Sequence, residues 1–170
     1  EHNDRKLNID RLAVVGAELG AAVALNWAVV DWEWPELATG KQGQDVKALV
    51  LLSPEWSVKG LKIDRAVGHP RIRSELAIAA IYGEDTSKNE KAAERLYRAF
   101  EGYHADRAYH PDGSSDTPPE ECEIFLVPAA TSLQGTQLLG KGLNVEKFIA
   151  TMIQWVCVEP SYRWESRKGP

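Results

Sequence analysis

The stretch Leu12-Ala13-Val14-Val15-Gly16-Ala17-Glu18-Leu19-Gly20-Ala21-Ala22-Val23-Ala24-Leu25 decides how the chain folds. Its first part is a short apolar run rich in β-branched residues, which reads as a strand over 12–16. The run breaks at Gly-x-Glu-x-Gly and passes at once into small and apolar residues at helical spacing, a helix from Leu19 to about Val30. A strand that becomes a helix within so few residues brings two backbones together, and small residues at Gly16 and Gly20 permit that approach. The turn holds one side chain, Glu18, at the carboxyl end of the strand. On the helix, Val23, Trp27 and Val30 share a face, and Ala21, Ala22, Ala24 and Ala28 allow close packing.

Downstream the alternation repeats. Val46–Leu52 is a continuous apolar run, as a parallel strand covered on both faces requires, and Ser53-Pro54 stops it. Residues 55–75 read as loop with a short helix. Ala77–Tyr82 forms a third strand, followed by Gly83-Glu84-Asp85-Thr86. Asn89–Tyr103 is an amphipathic helix with Ala93, Leu96, Tyr97 and Phe100 inward. A polar loop spans 104–121, a fourth strand Glu123–Val127, and a last helix runs from Val145 to about Val156. Four strands alternating with three helices predict an α/β fold: a parallel sheet with helices on both faces and right-handed crossovers. Residues 1–11 read as a polar lead-in from a preceding helix, 12–157 as the domain, and 158–170 as a mobile Arg/Lys-rich tail.

With 170 residues, 44% hydrophobic and 26% charged, the chain is long enough for a real core. A net charge of −5 counts against nucleic acid as a main partner, because phosphate binding needs a basic face. No apolar run approaches the ~20 residues of a bilayer span, and no apolar signal segment opens the sequence, which leaves the compartment open. The glycines lack a dinucleotide pattern. Asp31, Glu33 and Glu36 alone do not make a metal site, so no cofactor or metal is expected. Cys122 opens the last strand and Cys157 closes the last helix on the same side of the sheet; they form either a disulfide or two separately buried thiols.

Gly16-Ala17-Glu18-Leu19-Gly20, Val50-Leu51-Leu52-Ser53-Pro54, Tyr82-Gly83-Glu84-Asp85 and Leu133-Gln134-Gly135-Thr136-Gln137-Leu138-Leu139 together resemble the carboxyl-terminal half of the α/β-hydrolase superfamily over about residues 7–157. The last segment is similar to the His-Gly-Thr-x-Leu-Leu of dienelactone-hydrolase-like and esterase-like members, and the first to their Gly-x-Ser-x-Gly nucleophile turn. The resemblance implies that Glu18 stands at the nucleophile position, Asp85 at the acid position (Thr86 if the acid lies one residue on) and Gln134 at the base position.

The chemistry of such a triad needs a hydroxyl or thiol and an imidazole that takes its proton. Gln134 cannot take one at neutral pH. Glu18 is conceivable as a carboxylate nucleophile, yet hydrolysis of the resulting ester still needs an activated water. The four histidines, His2, His69, His104 and His110, all precede the last strand, so only His69 or His104, from another loop, could serve as base. Ser53 and Ser132 have no base nearby in sequence, and Ser53-Pro54 reads as a strand stop. Structurally, a carboxylate at a helix N-terminus is worth ~0.3–1 kcal/mol, and a Gln134 amide donating to Glu18 makes a fixed polar network.

The expectation is therefore a catalytically inactive hydrolase-like domain serving as a structural or protein-interaction module. The alternatives are an atypical ester hydrolase using Glu18, and a small-ligand binder with Trp32, Trp34 and Trp56 as pocket rim. The resemblance also implies further strands beside the first one. A bare apolar edge strand invites aggregation, so the missing N-terminal half of the fold, or another chain, is expected to cover residues 12–16.

Overall fold

Runs that are apolar on both faces must be covered from both sides, and the sheet is built accordingly. The computed structural model describes residues 6–35, 37–38, 40–109 and 117–160. His2, Glu36, His110 and residues 161–170 of the expected tail lie outside them. Strand β1 (Leu12–Ala17) turns into helix α1 (Leu19–Glu33), then β2 (Val46–Leu52). A small hairpin, β3 (Ser57–Val58) and β4 (Leu61–Lys62), precedes the short helices α2 (Asp64–Gly68) and α3 (Pro70–Glu75). Strand β5 (Ala77–Gly83), helix α4 (Ser87–Glu101), β6 (Ala108–Tyr109), β7 (Ile124–Ala129) and α5 (Val145–Ile153) complete the order, and a π turn over Gln154–Val158 extends α5.

Five strands form one parallel sheet in the order β1-β2-β5-β7-β6. The four expected strands and three long helices are present, so the α/β reading holds. The register sets Val15 beside Val50, Val50 beside Ala79, and Ala79 beside Phe125. Alternate residues therefore serve two cores. Leu49, Leu51, Ile78 and Leu126 pack under α1–α4, whereas Val50, Leu52, Ile81 and Phe125 pack under α5.

Two features of the fold differ from expectation. The polar loop over 104–121 contains a fifth strand, β6, whose two residues pair with Ile124 and Phe125; so short a piece carries no periodicity. Within this region His104 is buried, with Nδ1 2.8 Å from Glu123 Oε2 and Nε2 2.5 Å from Arg73 O, and Arg107 also pairs with Glu123. The second difference concerns α1. Its buried face is the small one, Ala21, Ala22, Ala24 and Ala28 with Leu25 and Val29, because small side chains let the helix lie close on the sheet. Val23, Trp27 and Val30 point outward, 52%, 44% and 47% exposed. Helix α1 is apolar all round and only half covered.

The far end of α1 is pinned by a buried carboxylate. Asp31 Oδ2 accepts from the Asp45 N–H (2.8 Å) and the Val46 N–H (3.0 Å), and Gln44 N–H donates to Asp31 O (2.9 Å). Both ends of the connection between α1 and β2 are thereby held together at the start of β2.

Cys122 and Cys157 are buried thiols in the α5-side core, so of the two alternatives the thiols are separate. Burial pushes the Cys157 thiol up from its ordinary value, which lowers its thiolate fraction at neutral pH. In native protein at pH 7.5 (about one unit below the free-cysteine value), a chromogenic disulfide reagent should leave both thiols unreacted over minutes and titrate both after unfolding. A disulfide would leave the reagent unreacted after unfolding as well.

The strand-to-helix turn gives a second prediction. A Cβ on Gly16 would lie 2.4 Å from Gly20 O, whereas one on Gly20 meets nothing within 4 Å. Gly16→Ala should lower unfolding free energy by about 1–3 kcal/mol through overpacking. Gly20→Ala should leave it unchanged or raise it by up to ~1 kcal/mol through helix propensity. Urea denaturation of the two variants separates these outcomes.

Candidate functional site

Parallel strands present their carboxyl ends together, and the loops that leave them form the natural site of an open α/β sheet. Four of the segments singled out in the sequence meet at this edge. At the end of β1, Glu18 has φ 51° and ψ −111°, a conformation few non-glycine residues adopt. Three backbone bonds hold it there: Glu18 N–H donates to Leu52 O (2.9 Å), and Glu18 O accepts from Ala21 N–H (3.1 Å) and Ala22 N–H (3.4 Å). The first bond ties the turn to β2 and the other two begin α1. The Glu18 side chain is exposed, its carboxyl carbon lying against Gly135.

Ser53, at the end of β2, is also left-handed (φ 49°) and only 3% exposed. Its N–H donates to Ile81 O (2.7 Å), and this bond replaces the next rung of the sheet. Its hydroxyl donates to Gln134 Oε1 (2.6 Å) and accepts from Gly135 N–H (2.8 Å). Gln134 Oε1 also accepts from Gly83 N–H (3.3 Å), while Gln134 Nε2 donates to Gly83 O (3.0 Å). Only the carbonyl end of an amide can accept from a peptide N–H, so these bonds fix which way the Gln134 amide points.

The loop after β7 thus closes over the end of β5 and clamps the end of β2. The approach requires Gly83: a Cβ there would lie 2.3 Å from Leu133 O and 2.5 Å from Thr131 O. Gly135 (φ 56°) is similarly confined, since its Cβ would lie 2.8 Å from the Glu18 carboxyl carbon.

The structure therefore brings Glu18, Ser53, Gly83, Gln134 and Gly135 to one place. It does not form the expected Gln134–Glu18 bond, because the amide nitrogen of Gln134 is directed to the β5 backbone. Asp85 is exposed and its side chain bonds to none of these groups; its N–H donates to Thr131 O (3.4 Å). Thr86 caps the start of α4 with its backbone alone.

The two described histidines lie at the opposite edge. His69 Nδ1 accepts from Ile72 N–H at the start of α3 (3.3 Å) and its Nε2 is 4.0 Å from Glu33, at the end of α1. His104 is held by Glu123, which precedes β7. Neither reaches Glu18 or Ser53.

The three tryptophans do not form one rim. Trp32 is buried beside the start of β2, donating Nε1–H to Val46 O (3.0 Å) with Lys47 and Arg71 over its ring. Exposed Trp34 follows it at that same edge. Trp56 alone lies beyond the carboxyl end of β2, bonded to Asp64 and covered by Arg95. Among the described residues no group of His, Cys, Asp and Glu is disposed to hold a metal ion, and no helix is long and apolar enough to cross a membrane.

Ser53 is the member that reading the sequence undervalues. As a strand stop it resembles any Ser-Pro pair; the signal of its role is its place after a fully buried parallel strand, where a hydroxyl has backbone donors to meet. Replacing it tests the network. Ser53→Ala leaves the buried Gly135 N–H without its acceptor, and should destabilise the protein by about 1–3 kcal/mol. Thermal unfolding of Ser53→Ala beside the exposed control Ser132→Ala, expected within ~0.5 kcal/mol of wild type, gives the comparison. No family model matches the chain, and neither a curated protein nor a solved structure matches it.

Proposed function

We propose that this chain is a catalytically inactive α/β-hydrolase-like domain that serves as a structural or protein-interaction module. The observation that carries the reading is Gln134. At the position where the resemblance puts the base, its amide is engaged by Ser53 and by both polar groups of Gly83. An amide so held accepts no proton at neutral pH. The Ser53 hydroxyl, whose proton is given to that amide, has no base to activate it. The polar groups of the site hold three strand ends together and leave no proton relay. Strand β1, which pairs with no strand on its outer side among the described residues, is the surface through which the module acts, covered by a further part of such a fold or by another chain.

One feature favours a second reading, an ester hydrolase using Glu18. Its backbone is held in a costly conformation, of the kind that clusters at active sites, and its carboxylate makes no hydrogen bond among the described residues. Hydrolysis of p-nitrophenyl acetate and butyrate separates the two. The module reading expects wild type and Glu18→Gln at the background rate, and a rise of about 100-fold in Glu18→Ser/Gln134→His, the lower end of what a positioned base contributes. Wild-type turnover that vanishes in Glu18→Gln would instead make Glu18 the nucleophile or the base.

A further inference from the structure

We infer that His104 is a proton-gated clasp on helix α3. With both ring nitrogens protonated it ties the end of α3 to the start of β7, and loss of one proton releases α3. The inference comes from the two atoms that the ring faces. The His104 side chain is wholly buried, with Nδ1 2.8 Å from Glu123 Oε2 and Nε2 2.5 Å from Arg73 O. A peptide carbonyl only accepts, and so does an ionised carboxylate. A neutral imidazole has a single N–H, so one of its nitrogens would turn a lone pair toward an oxygen. Only the doubly protonated ring makes both bonds.

The same geometry selects the bond that survives when a proton leaves. The other oxygen of Glu123 pairs with Arg107, so its charge is shared between a guanidinium and the ring. A carboxylate is a stronger acceptor than a carbonyl. The neutral ring therefore keeps Nδ1–H on Glu123 and turns a bare Nε2 toward Arg73 O, in the last turn of α3. Release at that point acts on the core, because Ile72 of α3 and Leu76 just after it are fully buried under α1.

Among the described residues the other charged groups near the ring leave its two bonds alone. The Arg73 guanidinium turns away, to Val67 O and the Tyr103 hydroxyl. Glu101 and Asp106 flank His104 in its own segment, Glu75 and Glu121 stand at the near ends of α3 and β7, and β6 brings no charge. His69, at the other end of α3, has the opposite requirement. Its Nδ1 accepts from Ile72 N–H (3.3 Å) and so must be bare. Helix α3 is thus held at one end by a bare histidine nitrogen and at the other by a protonated one. Acid loosens the first tie and alkali the second. The stability drawn from His104 is whole at the acid end and is lost as pH rises.

Imidazole ¹⁵N spectra of the full chain between about pH 5 and 8, where histidine changes charge, test this. The expected result is a His104 ring with two N–H groups at the acid end and one, on Nδ1, at the alkaline end. The Ser74 amide, which shares a peptide group with Arg73 O, should shift with the same midpoint as the ring. His104→Gln, whose amide does not titrate, should lose that step at Ser74 and keep the step at Ile72 that follows His69. The wild-type titration decides even where the variant does not fold. A His104 ring that stays neutral or stays doubly protonated throughout overturns the clasp, as does a neutral ring with its proton on Nε2. A Ser74 amide that ignores the ring, follows His69, or keeps its step in His104→Gln overturns it equally.

Discussion

A Cβ on Gly16 would occupy the space of the Gly20 carbonyl, and the carboxyl edge of the sheet is arranged around that constraint. With no side chain there, β1 and α1 share a backbone turn of a single residue. The geometry of that turn then forces Glu18 into a left-handed conformation, because its N–H must continue the β2 ladder while its C=O begins the helix. A strained residue persists only when its surroundings over-determine it. Here the surroundings are two elements that each claim one side of the same peptide.

The second tie at this edge is electrically neutral. Ser53, Gln134 and the peptide groups of Gly83 and Gly135 exchange four hydrogen bonds, and none of the participants titrates near neutrality. An imidazole in place of Gln134 would change its donors and acceptors with protonation, and the clamp on β2 and β5 would change with it. The amide accepts and donates at Gly83 in one fixed orientation, so three strand ends stay joined regardless of proton concentration.

Strands β2 and β5 were legible in the sequence because both of their faces are buried, which demands an unbroken apolar run. The elbow was legible because a steric requirement leaves glycines behind. Helix α1 was legible as a helix, but its inward face was not: a segment apolar on every side contains no amphipathic signal, and alanines, which the sheet selects for closeness, look neutral beside Trp27. The two residues of β6 are held by a neighbouring strand and by the buried His104, Glu123 and Arg73 contacts, all of them distant in sequence. Ser53 and the β5 backbone as partners of Gln134 were illegible for the same reason, since three separate loops must converge before the bond exists. The tryptophans show the converse. The ligand-binder alternative set them on one rim, and a fifteen-residue helix carried Trp32 and Trp34 to the opposite edge from Glu18.

The buried Asp31 carboxylate has a consequence for how the chain can vary. By accepting from the Asp45 and Val46 amides, it closes the α1–β2 connection at its base, and within the connection Lys41 adds ion pairs to Asp10 and Asp45. Closing a longer flexible loop adds only ~0.6 kcal/mol for each doubling of its length. The segment is thus a place where extra sequence can be grafted, such as a recognition peptide or a reporter, while the sheet beneath keeps its geometry.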